Sequence, residues 1–240
     1  MRLLVVNADD LGLCAAVNEG ILRAHEQGIV TSASLMVDGE TAPAAAVAAP
    51  PSLGLGLHLD LGEWVCEAGE WRVRRHVVDA DDPGAVAREL ERQLERFREL
   101  TGREPDHLDS HQHAHRSEPV RSIMGRRARE LRLPLRHHGR FAYRGDFYGQ
   151  GRAGAPNPDA ITAAALAAIV TTLAEGATEL CCHPAAAPPP GTEYAAERVA
   201  ELAALCDPAV AAAVASAGVR KCTFAAARAH LLSLAPPAHR

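Results

Sequence analysis

The chain has 240 residues, 48% hydrophobic and 23% charged, a globular balance that excludes disorder, collagen-like repeats and disulfide-dense scaffolds. That length suits one large core, so the reading is a single domain over residues 1–240, and the net charge of −5 leaves no basic stripe for a nucleic-acid partner. Six cysteines without a CxxC pair, and no apolar run approaching ~20 residues, give the expectation of a reduced, cytoplasmic protein without membrane insertion.

Residues 3–7 read as an apolar strand entering Ala8-Asp9-Asp10-Leu11-Gly12, and residues 15–27 carry Val17, Ile21, Leu22 and Ala24 at helical spacing before Gly28. Residues 29–37 are β-branched and apolar, 53–61 alternate, and 83–100 place Val86, Leu90, Leu94 and Phe97 on one helical face. A strand at 107–111, a helix at 119–131, a strand at 133–136 and an alanine-rich helix at 159–175 follow. A strand at 178–182, a helix at 193–217, a strand at 219–223 and a last helix to Leu234 complete the chain. Strands alternating with helices call for parallel pairing through crossover helices. The predicted fold is α/β, a distorted, incomplete TIM-like (β/α) barrel of about seven parallel strands, with a doubly wound open sheet as its rival. The irregular stretches 63–82 and 138–158, rich in Gly, Arg and aromatics, read as long loops over a site.

Four polar clusters stand just after predicted strands: Asp9-Asp10, His58 with Asp60, Asp109 to His115, and His183. In a parallel sheet the carboxyl ends of the strands share one face, so these residues are expected to converge there. Taken singly, an Asp pair could cap a helix and His58 could be a hydrogen-bonded core residue. His107, His111, His113 and His115 are harder to explain so; they alternate over nine residues, read as one strand face, and point to metal or catalysis.

Five segments together carry a family resemblance: 6–12 (VNADDLG), 28–36 (GIVTSASLM), 56–59 (GLHL), 107–115 (HLDSHQHAH) and 179–184 (ELCCHP). In order and spacing they resemble the YdjC-like carbohydrate deacetylases over most of the chain. Residues 146–150 (DFYGQ) and the entry Thr178-Glu179-Leu180 are more similar to the hopanoid-biosynthesis-associated branch than to the chitooligosaccharide branch.

The resemblance implies metal-dependent removal of an acetyl group from an N-acetylated amino sugar or conjugate. It maps a metal triad onto Asp10, His58 and His111, with Asp9 in the general-base position. One divalent ion, Mg²⁺ or Zn²⁺, suits one carboxylate and two imidazoles, the two nitrogens favouring zinc. His183 is the chosen proton donor to the leaving amine. Asp109 and His113 are expected to orient the ligands, and Asp60 to touch ligand or substrate. Whether His113 or His115 contacts the metal is left open by the sequence. The expected partners are a small carbohydrate or glycoconjugate and, from relatives, a second copy in a homodimer. Two rival functions are a Schiff-base barrel lyase using Lys221, the single lysine, and a non-catalytic sugar- or metal-binding protein. The lyase needs a buried lysine; mere binding has no need of an acid and a base flanking a metal.

Overall fold

The computed structural model describes residues 1–67, 70–151 and 154–234. Among the described residues nine strands are formed: β1 (Arg2–Leu11), β2 (Ser32–Leu35), β3 (Gly54–Leu59), β4 (Gly62–Glu67), β5 (Glu70–His76), β6 (Leu108–Ser110), β7 (Phe141–Arg144), β8 (Gly176–Cys182) and β9 (Val219–Lys221). The helices are α1 (Ala15–Gln27), α2 (Ala42–Ala48), α3 (Pro83–Thr101), α4 (Val120–Leu131), α5 (Ala163–Thr171), α6 (Ala196–Leu205), α7 (Pro208–Ser216) and α8 (Phe224–Ser233).

Strand β1 is buried from Leu3 to Leu11, as a central parallel strand covered on both faces must be. One edge pairs with β8; the other is shared by β9, opposite Arg2 to Leu4, and β2, opposite Asn7 to Leu11. Pairing continues to give the order β6-β3-β2-β1-β8-β7, a parallel sheet of seven strands with β9. The sheet is curled. Asp109 on β6 and Glu179 on β8 lie four strand spacings apart, ~19 Å in a flat sheet at ~4.8 Å per strand. Both nonetheless bond the single guanidinium of Arg136, at 2.8 and 2.6 Å.

Helices pack outside this sheet. In α3 the stripe Val86, Leu90, Leu94 and Phe97 is buried, at about 1.5–3 kcal/mol for each large side chain. Asp82 caps the helix by accepting from the Gly84 and Ala85 amides, and Gly102 ends it at φ 68, a conformation a Cβ would strain. Gly20 on α1 allows a close approach; a Cβ there would meet the Ala185 backbone at 2.4 Å, so α1 seats the segment that follows β8.

Several sequence expectations are corrected. Segment 63–82 is not an irregular loop: it contains the antiparallel hairpin β4–β5. Residues 133–136 form no strand, Leu135 making one parallel bridge to Leu108, because Pro134 has no N–H for a ladder. The strand lies instead at Phe141–Arg144, inside the stretch read as loop. The helix expected over 193–217 breaks into α6 and α7 with a 52° bend, where Asp207 caps a new helix and Pro208 starts it. The helix expected from 159 starts at Ala163, since Pro158–Ile161 is a 3-10 turn and Thr162 caps the helix proper. The histidines of 107–115 do not line one strand face: β6 ends at Ser110, and His111–Arg116 is a 3-10 turn with Gln112 and His113 left-handed. Among the described residues no single helix is long and apolar enough to cross a membrane.

Candidate active site

The site begins with an irregularity in β1. Ala8 pairs with Ala33 and Leu11 with Leu35, so β1 holds one extra residue, and Asp10 takes φ 69, a left-handed conformation that Asp tolerates. In a regular strand Asp9 and Asp10 would face opposite sides. The bulge lets two consecutive carboxylates serve one centre.

Asp10 Oδ1 lies 3.3 Å from His58 Nε2 and 3.1 Å from His111 Nδ1, while its Oδ2 accepts from Arg198 at 2.6 Å. His58 comes from β3 and His111 from the turn after β6. His58 Nδ1 donates to Asp109 Oδ1 at 2.7 Å, fixing the ring so that Nε2 faces Asp10. One carboxylate oxygen and two imidazole nitrogens within 4.8 Å of one another are a donor set for a divalent cation, with a carboxylate behind one imidazole. Burial favours neutral Asp10, but Arg198 and the two imidazoles outweigh it and hold its carboxyl well below the usual range. Burial likewise depresses His58, yet Asp109 and Asp9 push it well above its ordinary value. That negative field favours a bound cation as it favours a proton.

Asp9 is gripped by Arg136, whose Nη1 and Nη2 donate to the two carboxylate oxygens at 2.6 and 2.7 Å. Asn7 adds a bond at 2.9 Å and the Cys181 thiol a weak one at 3.4 Å. Burial alone would raise this carboxyl, but Arg136 keeps it ionised, well below the usual carboxylate range. The same guanidinium holds Asp109, whose pKa falls to about 2 despite burial, and Glu179, where burial wins and the pKa rises. Ser34 completes the network by donating to Asp109 at 2.6 Å.

His183 follows β8 and sits with its Nε2 3.8 Å from Asp9 Oδ2 and its Nδ1 3.8 Å from Glu201 Oε1. Its backbone amide donates to Glu201, which also accepts from Tyr194 Oη. The Tyr148 ring stacks on Tyr194 at 4.4 Å and meets His183 edge-on at 5.4 Å, so His183 has an aromatic wall. Asp9, Asp10, His58, Asp109, His111 and His183 are thus gathered at one end of the sheet.

Other candidates are not. Asp60 turns away: its carboxylate accepts from the Gly62 amide and from Arg75 at 2.7 Å, anchoring the hairpin. His113 and His115 group with His137 instead, and His107 is a packing residue stacked on Phe224 at 4.0 Å. Lys221 is exposed and donates to the Gly28 carbonyl. Its partner on β1 is Leu4, five residues or ~16 Å of strand before Asp9, so the Schiff-base alternative fails on position.

Arg136, Arg198, Glu201 and Tyr194 escaped the sequence reading. A faint signal existed for two of them: Arg198 and Glu201 are three apart on α6 and share a face with buried Leu202 and Leu205. Glu179 in an apolar strand also demanded a buried cation, but nothing in the sequence singled out Arg136 among the many arginines.

Fold and site together define an α/β protein with a carboxylate–imidazole centre at the carboxyl edge of a curled parallel sheet. Residues 3–216 match the YdjC-like protein family, and the chain belongs to it. It is 36% identical to a carbohydrate deacetylase of Geobacillus stearothermophilus, over 93% of this chain and 97% of that one. A chitooligosaccharide deacetylase of Salmonella paratyphi B is 33% identical over 93% and 98%. A solved protein of Enterococcus faecalis V583, provisionally named for cellobiose-phosphate cleavage, superposes with a TM-score of 0.74 at 24% identity, covering 94% of this chain and 98% of that one. A polysaccharide deacetylase of Bacillus cereus gives 0.55 at 13%, over 93% and 92%.

Proposed function

We propose that the protein hydrolyses the acetamido group of an N-acetylated amino sugar or sugar conjugate, with one divalent cation held by Asp10, His58 and His111. The observation that carries this is the meeting of Asp10 Oδ1 with His58 Nε2 and His111 Nδ1 beside two further groups, Asp9 and His183, suited to moving protons. The names of the relatives support the carbohydrate and the acetyl group. Tyr148, in the 146–150 segment that resembles the hopanoid-associated branch, meets the His183 ring edge-on beside this centre.

A divalent ion at that centre, when bound, supplies Lewis acidity, drawing charge from the acyl oxygen and easing ionisation of water. Asp9 accepts the proton of the attacking water. Arg136 fixes the direction of its lone pairs, and the weak Cys181 thiol is the donor that water displaces. His183 delivers a proton to the leaving nitrogen as the C–N bond breaks, with the Glu201 carboxylate 3.8 Å from its Nδ1. The test is acetate release from chitooligosaccharides and other N-acetylated sugars by metal-stripped protein, resupplied with Zn²⁺ or Mg²⁺ singly. Release should require the ion. Full activity without metal, or no release from any such sugar with either ion, would defeat the proposal.

A further inference from the structure

Outside the centre built on Asp10, three imidazoles converge. His113 and His115 belong to the turn after β6, and His137 follows Arg136. Their ring centroids form a nearly equilateral triangle with sides of 5.8, 5.3 and 5.5 Å. One ring nitrogen from each can be chosen so that all three lie within 4.8 Å of one another. A tetrahedral centre with three imidazoles at ~2.1 Å from zinc places its ring centroids about 5 Å apart, close to the sides of this triangle.

The hydrogen bonding leaves one nitrogen open on two of the three rings. His115 pairs its Nδ1 with Ser110 Oγ at 2.7 Å, and its Nε2, though buried, has no partner among the described residues. His113 pairs its Nε2 with Tyr143 Oη at 3.4 Å, leaving its buried Nδ1 equally without a partner. Each of these rings therefore has one nitrogen tied to a hydroxyl and the other open, the arrangement that ligating histidines show. Buried polar atoms without partners are uncommon and costly. The backbone adds an independent sign: His113 and His137 both hold left-handed conformations, φ 56 and φ 62, which cost a non-glycine residue roughly 1 kcal/mol each. His137 is exposed, which opens a path for an ion from solvent. The Arg136 charge nearby is already met by Asp9, Asp109 and Glu179.

We infer that His113, His115 and His137 form a second metal site, selective for borderline divalent ions of the zinc, nickel, copper and cobalt class. An all-nitrogen donor set has no attraction for Mg²⁺ or Ca²⁺, which take oxygen ligands. This sets the site apart from the centre containing Asp10 and makes it independent of the proposed reaction.

The experiment counts bound ions on the whole, metal-stripped chain by equilibrium dialysis and elemental analysis against Zn²⁺ and, separately, Mg²⁺. His113→Asn and His137→Asn are the variants, since asparagine accepts the left-handed backbone and the fold is checked by circular dichroism. Each should bind one zinc fewer than the wild-type chain, or bind that ion at least tenfold more weakly, with Mg²⁺ uptake unchanged. Cobalt should report the same loss in its visible absorption. His111→Ala should remove a different equivalent, leaving the one that His137→Asn abolishes. Zinc stoichiometry and affinity unchanged in both asparagine variants would overturn the inference, as would equal loss of Mg²⁺.

Discussion

Replacing Arg136 by methionine tests the electrostatic centre of the site. The guanidinium makes four contacts of 2.6 to 2.8 Å with Asp9, Asp109 and Glu179, and all four residues are buried. Methionine keeps much of the volume but removes the guanidinium that three carboxylates share. Removing one partner of a buried ion pair costs about 3–5 kcal/mol, and with three acceptors the upper part of that range is expected. For a chain of this size, that corresponds to a melting temperature lower by roughly 6–20 °C. Acidification gives a sharper signature. In the wild-type protein Asp9 has a depressed pKa, so its stabilisation is present above the unfolded carboxyl value of ~3.9 and is lost as pH falls through the folded value. In the variant, burial without Arg136 raises the folded pKa, and protonation then relieves the repulsion. The stability gap measured by urea unfolding should therefore shrink from pH 7 towards pH 4. Arg136→Lys should recover part of the loss, because a point charge cannot grip both Asp9 oxygens as the fork does. A penalty below about 1 kcal/mol at pH 7, or a gap that widens on acidification, would refute this account.

Asp9→Asn should retain metal while turnover in acetate release falls by roughly 10²-fold or more, the scale of losing a general base; near-normal turnover would remove Asp9 from the chemistry. His183→Ala should cripple hydrolysis of an N-acetyl sugar yet spare much of the rate on an acetyl ester with a good leaving group, which needs no protonation; equal losses on both substrates, or lost metal, would point to a ligand or packing role. His58→Ala and His111→Ala should each bind at least one ion fewer by elemental analysis while keeping the wild-type circular dichroism, and full occupancy in either would sink the Asp10, His58 and His111 triad. In metal-stripped protein His113 is pushed down to about 3 by burial and the Arg136 charge, so the unfolded chain takes up a proton that the folded one refuses below pH ~6.5. That lowers stability by about 2 kcal/mol between pH 7 and pH 5. Urea melts should show His113→Asn escaping this part of the acid loss, and an identical pH dependence in both proteins would disprove it.

How far the sequence reached can be judged element by element. The α1 and α3 helices were legible because their apolar stripes, the stop at Gly28 and the start at Pro83 are local signals that tertiary contacts did not need to override. Six of the seven strands were legible as apolar runs between helices, and with them the alternation that brings Asp9, Asp10, His58, Asp109, His111 and His183 to one end of a parallel sheet. The sequence could not tell where β1 stops, because the bulge at Asp10 is specified by pairing with β2, which lies more than 20 residues away. Nor could it separate the histidines of 107–115. Their spacing suits a strand, yet the left-handed turn at Gln112 and His113 sends His111 to Asp10 and His113 to His137. The tertiary structure alone decided which of many arginines is buried. A guanidinium finds its carboxylates only once the sheet has curled enough to bring β6 within reach of β8, and no periodicity along the chain records that curvature.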